Sequence, residues 1–225
     1  MIPIKDDIPT RKTPILTITF IIINTIVFMY ELTLSDIEFI HFVYKYGLLP
    51  TDIFSLRIDK VITSMFIHGN FSHLFGNMLF LWIFGNNVED ALGKIKFLLF
   101  YFLSGFTAGF LQSSISLMFG SVDIPMIGAS GAISGILAGY VKLYPEARVI
   151  TVIPPFIFMP FILPAWFFIG YWFFIQLIFA IAAPPTVGGV AWYAHIGGFI
   201  AGWILINKLY SEKNLKLVFQ VEKRF

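Results

Sequence analysis

Six stretches of this chain, Ile15 to Tyr30, Phe71 to Phe84, Phe97 to Leu117, Met126 to Val141, Phe161 to Ile181 and Ala191 to Asn207, contain none of its 15 Lys and Arg or 13 Asp and Glu residues. Their lengths approach what a helix needs to cross about 30 Å of hydrocarbon, the second and fourth only with their uncharged flanks. The apolar residues run continuously rather than alternating, which selects helices over barrel strands, and a helix satisfies its own backbone inside lipid. The expected fold is therefore an all-α membrane protein, a compact bundle of six transmembrane helices. A composition of 58% hydrophobic and 12% charged residues excludes an ordinary soluble domain. The first run is too long for a cleaved signal peptide and lacks its small-residue cleavage site.

The loops set the orientation. With the N-terminus cytoplasmic, the inner segments hold 12 Lys and Arg residues and the outer ones only Lys45, Arg57 and Lys60. The positive-inside rule thus places both termini in the cytoplasm. The chain divides into an arm at 1–14, a six-helix unit at 15–207 and a basic tail at 208–225. A net charge of +2 gives no sign of nucleic-acid binding. The tail, with Lys213, Lys216, Lys223 and Arg224, reads as an anchor beside anionic lipid. No cysteine is present, which removes disulfides, thiolate metal sites and cysteine nucleophiles. The outer segment from Glu31 to Asn70 carries Phe39, Ile40, Phe42, Val43, Tyr44 and Tyr46, which suits a helix lying in the interface as well as a packed loop. In the fifth crossing, Pro154, Pro155, Pro160 and Pro164 predict a bent or late helix start. Its Trp166, Phe167, Phe168, Trp172, Phe173 and Phe174 suit either lipid-facing packing or a lateral gate.

Against this apolar background a few polar residues stand out. His73 and Asn77 are four apart on the second crossing and project from one face. Ser130 opens the fourth crossing, and His195 lies in the first turn of the sixth. Such groups serve as interhelical glue or as functional sites facing a cavity. Small residues decide how they meet. Gly131, Gly135 and Gly139 repeat every four positions, as do Ala194, Gly198 and Gly202, and two such faces let backbones approach closely. If they meet in register, Ser130 and His195 lie at the same depth. His195 would then act as general base on the Ser130 hydroxyl. Asn77, His73 and the backbone N–H of Ser130 would stabilise the oxyanion, with the helix dipole behind Ser130 acting in the same sense. No carboxylate lies within a crossing, so the expectation is a Ser-His dyad without a third member. That absence also counts against an ion-coupled transporter, the rival polytopic class. A metal site from His68, His73 and His195 lacks an acidic general base, so no metal and no cofactor are expected.

Three motifs, Gly128-Ala-Ser-Gly131, His73-Leu-Phe-Gly-Asn77 with His68 upstream, and Ala194-His-Ile-Gly-Gly198, resemble those of the rhomboid intramembrane serine proteases in their six-helix form. The resemblance implies Ser130 as nucleophile, His195 as base, His73 and Asn77 at the oxyanion site, and His68, Gly128 and Gly131 in support, His68 near the cavity mouth. It implies transmembrane proteins as substrates, cut in or near their membrane segments. The expected setting is the cell membrane, with the site opening to the extracytoplasmic side. An inactive relative that only binds membrane helices is the alternative. Two positions depart from the pattern. Asp59-Lys60 stands where a Trp-Arg pair is common, and Ser134 where some members stack a tyrosine on the histidine.

Overall fold

The computed structural model describes residues 1–183 and 189–210. Pro184, Pro185, Gly188 and the basic tail beyond 210 lie outside the described residues. The chain is mostly helical. Helix α1 spans Ile15–Glu31, and α2 (Asp36–Tyr46), α3 (Pro50–Phe54) and α4 (Ile58–Ser64) form the following segment. Helix α5 (Phe71–Phe80) continues through a π turn at Leu81–Gly85 into α6 (Asn86–Leu92). Then come α7 (Lys94–Met118), α8 (Ser130–Leu143), α9 (Ala165–Ala182) and α10 (Trp192–Leu209). By length and composition, α7 and α9 are each apolar enough to cross a membrane. Exposed Ile22, Ile26 and Met29 on α1 and Trp166, Phe167 and Phe174 on α9 turn apolar surface outward, which is stable only against lipid or another apolar partner.

Helix α8 is the best enclosed. Every residue from Gly131 to Tyr140 is buried, with α7 and α10 against it. The glycine faces explain how. A Cβ built at Gly198 would run into the carbonyl oxygen of Gly131, and one at Gly202 into that of Gly135. Each contact advances four residues on both helices, so α8 and α10 run parallel with their backbones touching, as the two small-residue repeats predict.

Polar chemistry ties the opposite end of α1 to α6. Glu89 accepts from the backbone N–H groups of Leu16 (2.9 Å) and Thr17 (2.8 Å) and from the Thr17 hydroxyl (2.8 Å). It thereby satisfies donors that the first turn of a helix leaves free. Asn87 donates to the Ile8 carbonyl (2.9 Å) and Asp90 accepts from the Arg11 N–H (3.0 Å), so the N-terminal arm is fixed rather than loose.

A three-stranded sheet adds to the helices where the sequence suggests only an arm, a turn and a bent helix start. Strand β1 (Ile2–Asp6) pairs antiparallel with β2 (Arg148–Ile153), which pairs antiparallel with β3 (Phe156–Pro164). Pro160 and Pro164 sit on an edge strand, where a missing N–H is tolerated. The helix expected from Phe161 starts at Ala165 instead, because Pro164 precedes it in extended conformation.

Candidate functional site

Ser130 is the first residue of α8, following Ala129 at the helix N-cap. Its N–H therefore belongs to the four donors that a helix start leaves without an intrahelical acceptor. The segment leading to it is pinned from outside the helix. Leu48 and Met126 exchange backbone hydrogen bonds (3.0 and 2.8 Å), and the Gly128 N–H donates to the Ser64 carbonyl at 2.8 Å. Gly128 has φ of 111°, a conformation that side chains rarely adopt. A Cβ there would lie 2.7 Å from the His73 ring and 3.8 Å from Asn77 Nδ2. A glycine thus lets the His73–Asn77 face of α5 close on the start of α8.

His195 comes from the first turn of α10, and the glycine contacts set its height. Its Nε2 lies 2.9 Å from Ser130 Oγ. The residue is 8% exposed, its ring held between Trp172 on α9 (centroids 5.7 Å, 38° between planes) and the edge of Trp192 (6.1 Å, 88°). Ser134, one of the two departures from the pattern, turns to its own helix and donates to the Ser130 carbonyl at 2.7 Å; the tryptophans flank the histidine. The other, Asp59-Lys60, is accommodated in the outer segment. Lys60 reaches Asp52 at 2.9 Å in a nearly enclosed ion pair and the Tyr44 carbonyl at 3.3 Å, holding α2, α3 and α4 together. Asp59 pairs with Arg57 at the surface.

Ser130, His195, His73, Asn77, Gln112 and Trp172 all line a cavity of about 710 Å³. The Asn77 amide nitrogen is buried without a hydrogen-bond acceptor among the described residues, a donor beside Gly128. Four of the sequence-predicted residues therefore share one space. Gly131 supports from behind, since a Cβ there would collide with Ala108 of α7. His68 is different. It is fully enclosed and lies outside the cavity lining rather than at its mouth, its ring meeting that of His73 edge-on at 5.0 Å. Burial, and secondarily the charge of His73, lowers its pKa from the usual 6.5 to about 3.

Two glutamines that the sequence reading passes over also reach the site. Gln112 of α7 accepts from the Ala194 N–H at 3.2 Å, fixing the residue before His195. Gln176 of α9 places Oε1 2.7 Å from His195 Nδ1. The signal was available, because Gln176 is the one amide side chain in an 18-residue apolar helix, where polar groups are rare and expensive.

Geometrically, the site offers a hydroxyl against an imidazole nitrogen, with free N–H donors on one side and a cavity in front. A family model for the Rhomboid domain matches residues 56–212. This chain belongs to the rhomboid family. Among its relatives, the yeast (Saccharomyces cerevisiae) Rhomboid protein 1, mitochondrial, is 31% identical over 185 residues, 78% of this chain and 50% of that protein. RHOMBOID-like protein 6, mitochondrial, of Arabidopsis thaliana is 32% identical over 154 residues, 65% of this chain and 42% of its own length. Presenilin-associated rhomboid-like protein A, mitochondrial, of Danio rerio is 32% identical over 101 residues, 45% of this chain and 26% of the relative. The chain thus spans half or less of the length of these relatives. Their names overturn one expectation from the sequence, the cell membrane, since all three are mitochondrial proteins. The physical reason is that apolar run length and positive-inside bias report a crossing and its direction, not which bilayer is crossed.

Proposed function

We propose that this rhomboid is an intramembrane serine endopeptidase that cuts membrane proteins in or near their transmembrane segments with a Ser130–His195 dyad. The observation that carries the reading is the 2.9 Å contact between Ser130 Oγ and His195 Nε2 at the wall of a cavity that also presents Asn77 and His73. Ser130 Oγ adds to the scissile carbonyl while its proton passes to Nε2. The oxyanion so formed is met by the Ser130 N–H, the Asn77 amide and His73. Collapse breaks the C–N bond, His195 returns the proton to the leaving amine, and water then releases the acyl group by the same steps in reverse order.

In this reading the six crossings are α1, α5 with α6, α7, α8, α9 and α10, with both termini on one face. Helix α8 rises only about 21 Å over its 14 residues. A serine at its start therefore lies below the outer surface of a 30 Å core, and the cavity brings water to it. The bilayer is inferred to be mitochondrial on the names of the relatives alone.

The test is labelling of detergent-solubilised protein with a fluorophosphonate, alongside cleavage of a single-span reporter protein. Wild type should label and cut, and Ser130→Ala should do neither. His195→Ala should label more slowly by a factor on the order of 10² to 10⁴, the usual contribution of a positioned base. Equal labelling of all three would sink the mechanism. Reporter binding without cleavage by wild type would make the chain a helix binder.

A further inference from the structure

We propose that Gln176 is a positioning residue that fixes His195 in the tautomer able to take the Ser130 proton, an inference that rests on the dyad reading above and deepens it. The donors and acceptors around the ring decide its tautomer. Gln176 is buried, and its Nε2 lies 2.9 Å from the carbonyl oxygen of Trp172, one turn back on α9. A carbonyl oxygen only accepts, so the NH₂ end of the amide faces Trp172. The oxygen end therefore faces the imidazole, 2.7 Å from Nδ1. That oxygen also only accepts, so the neutral ring carries its proton on Nδ1. Nε2 is left with its lone pair, and Ser130 Oγ stands against it at 2.9 Å. Three hydrogen bonds then run in one direction, each donor with one acceptor: Ser130 O–H to Nε2, Nδ1–H to Gln176, and the Gln176 amide to the Trp172 carbonyl.

The opposite tautomer would place two lone pairs face to face at Nδ1, and Nε2, already carrying a proton, would have no lone pair with which to take the one on Ser130. The same geometry serves the next step. When Nε2 takes the serine proton, the ring becomes cationic and the negative end of the Gln176 amide dipole already points at Nδ1–H. A neutral acceptor does here what a carboxylate does in a triad, without placing a charge inside an apolar helix pair. Trp172 and Gln176 lie one turn apart on α9, so a single helix face supplies both a ring wall and the acceptor. The competence of the base consequently depends on α9 being seated against α10.

The experiment compares wild type with Gln176→Met, which keeps length but has no comparable acceptor, and Gln176→Glu, which keeps acceptor oxygens. With a fluorophosphonate, Gln176→Met should lower the maximal labelling rate by about 100-fold, the low end of what a general base contributes, and leave the half-saturating concentration unchanged. Gln176→Glu should recover most of that loss. In ¹⁵N-histidine spectra at about pH 8, where an ordinary histidine is neutral, the His195 signal of wild type, identified by its absence in His195→Ala, should be protonated at Nδ1. In Gln176→Met it should move toward a tautomer mixture. If Gln176→Met labels at the wild-type rate, or if Gln176→Glu is no better than Gln176→Met, the inference is overturned. If Gln176→Met does not fold, the wild-type spectrum still decides, since a proton on Nε2 excludes the proposal. Wild-type labelling independent of Ser130 would instead overturn the dyad reading, so the two failures are distinct.

Discussion

Among the described residues neither ring nitrogen of His68 has a hydrogen-bond partner, although the residue is fully enclosed beside His73 and its backbone N–H is held by Glu31 at 3.3 Å. Burial therefore penalises its charged form, and the pKa falls from 6.5 to about 3. The consequence for stability has a definite sign. Between these values the unfolded chain binds a proton at this position and the folded chain does not, so stability rises with pH in that window. It is complete above 6.5 and is lost as pH falls toward 3, with a limiting slope of about 1.4 kcal/mol per pH unit for one proton. The test is a difference, since Glu31 beside His68 is common to both proteins: in detergent, the thermal-unfolding midpoint of wild type should fall relative to that of His68→Phe as pH drops below 6.5. An unchanged slope in the variant would assign the acid sensitivity to other groups.

At the scale of elements, the pairing of α8 with α10 was legible because its cause is written in the residues. Two four-residue repeats of small side chains permit a backbone contact that nothing larger allows, and the register of Ser130 and His195 follows. The contact predicts a sharp contrast between two glycines. In Gly198→Ala the new methyl group meets the Gly131 carbonyl, which is backbone and cannot swing aside. Overpacking of this kind costs about 1–3 kcal/mol, and any separation of the helices also lengthens the Ser130–His195 contact, so both the unfolding temperature and the labelling rate should fall. Gly170→Ala on α9, where a Cβ meets nothing within 4 Å, should change stability by no more than about 1 kcal/mol and leave labelling intact. Equal effects at the two sites would show that the close approach does not control the site. On α9 the sequence marks Gln176 only by its being the one amide in an apolar helix. All charged groups lie outside the apolar runs, which points to a dyad without a third member; an amide among tryptophans and phenylalanines meets the same need with no charge.

At the scale of the whole molecule, the cavity and the sheet occupy opposite ends of α8. Ser130 begins the helix, and near its other end the Tyr140 hydroxyl donates to Asp6 of β1. The sheet was not legible for a physical reason. Strand β1 pairs with a segment about 150 residues away, including Ile2 with Val152, and β3, joined to β2 by a two-residue turn at Pro154-Pro155, carries prolines that locally read as a bent helix start. Tyr140 nevertheless gives a direct test of whether the two ends are coupled. Asp6 is largely buried and burial holds its pKa above the usual carboxylate value. Removing the hydroxyl in Tyr140→Phe leaves that carboxyl short of a donor, at a cost of about 1–3 kcal/mol. Because Tyr140 is also packed from all sides, its ring keeps α8 in place, and the loss should stay local to the sheet. Amide hydrogen exchange should accelerate at Lys5 and Asp6, while Gly131 to Gly139 stays protected and the fluorophosphonate labelling rate stays at wild type. A labelling rate that falls together with β1 protection would instead mean that the sheet transmits its state along α8 to the serine.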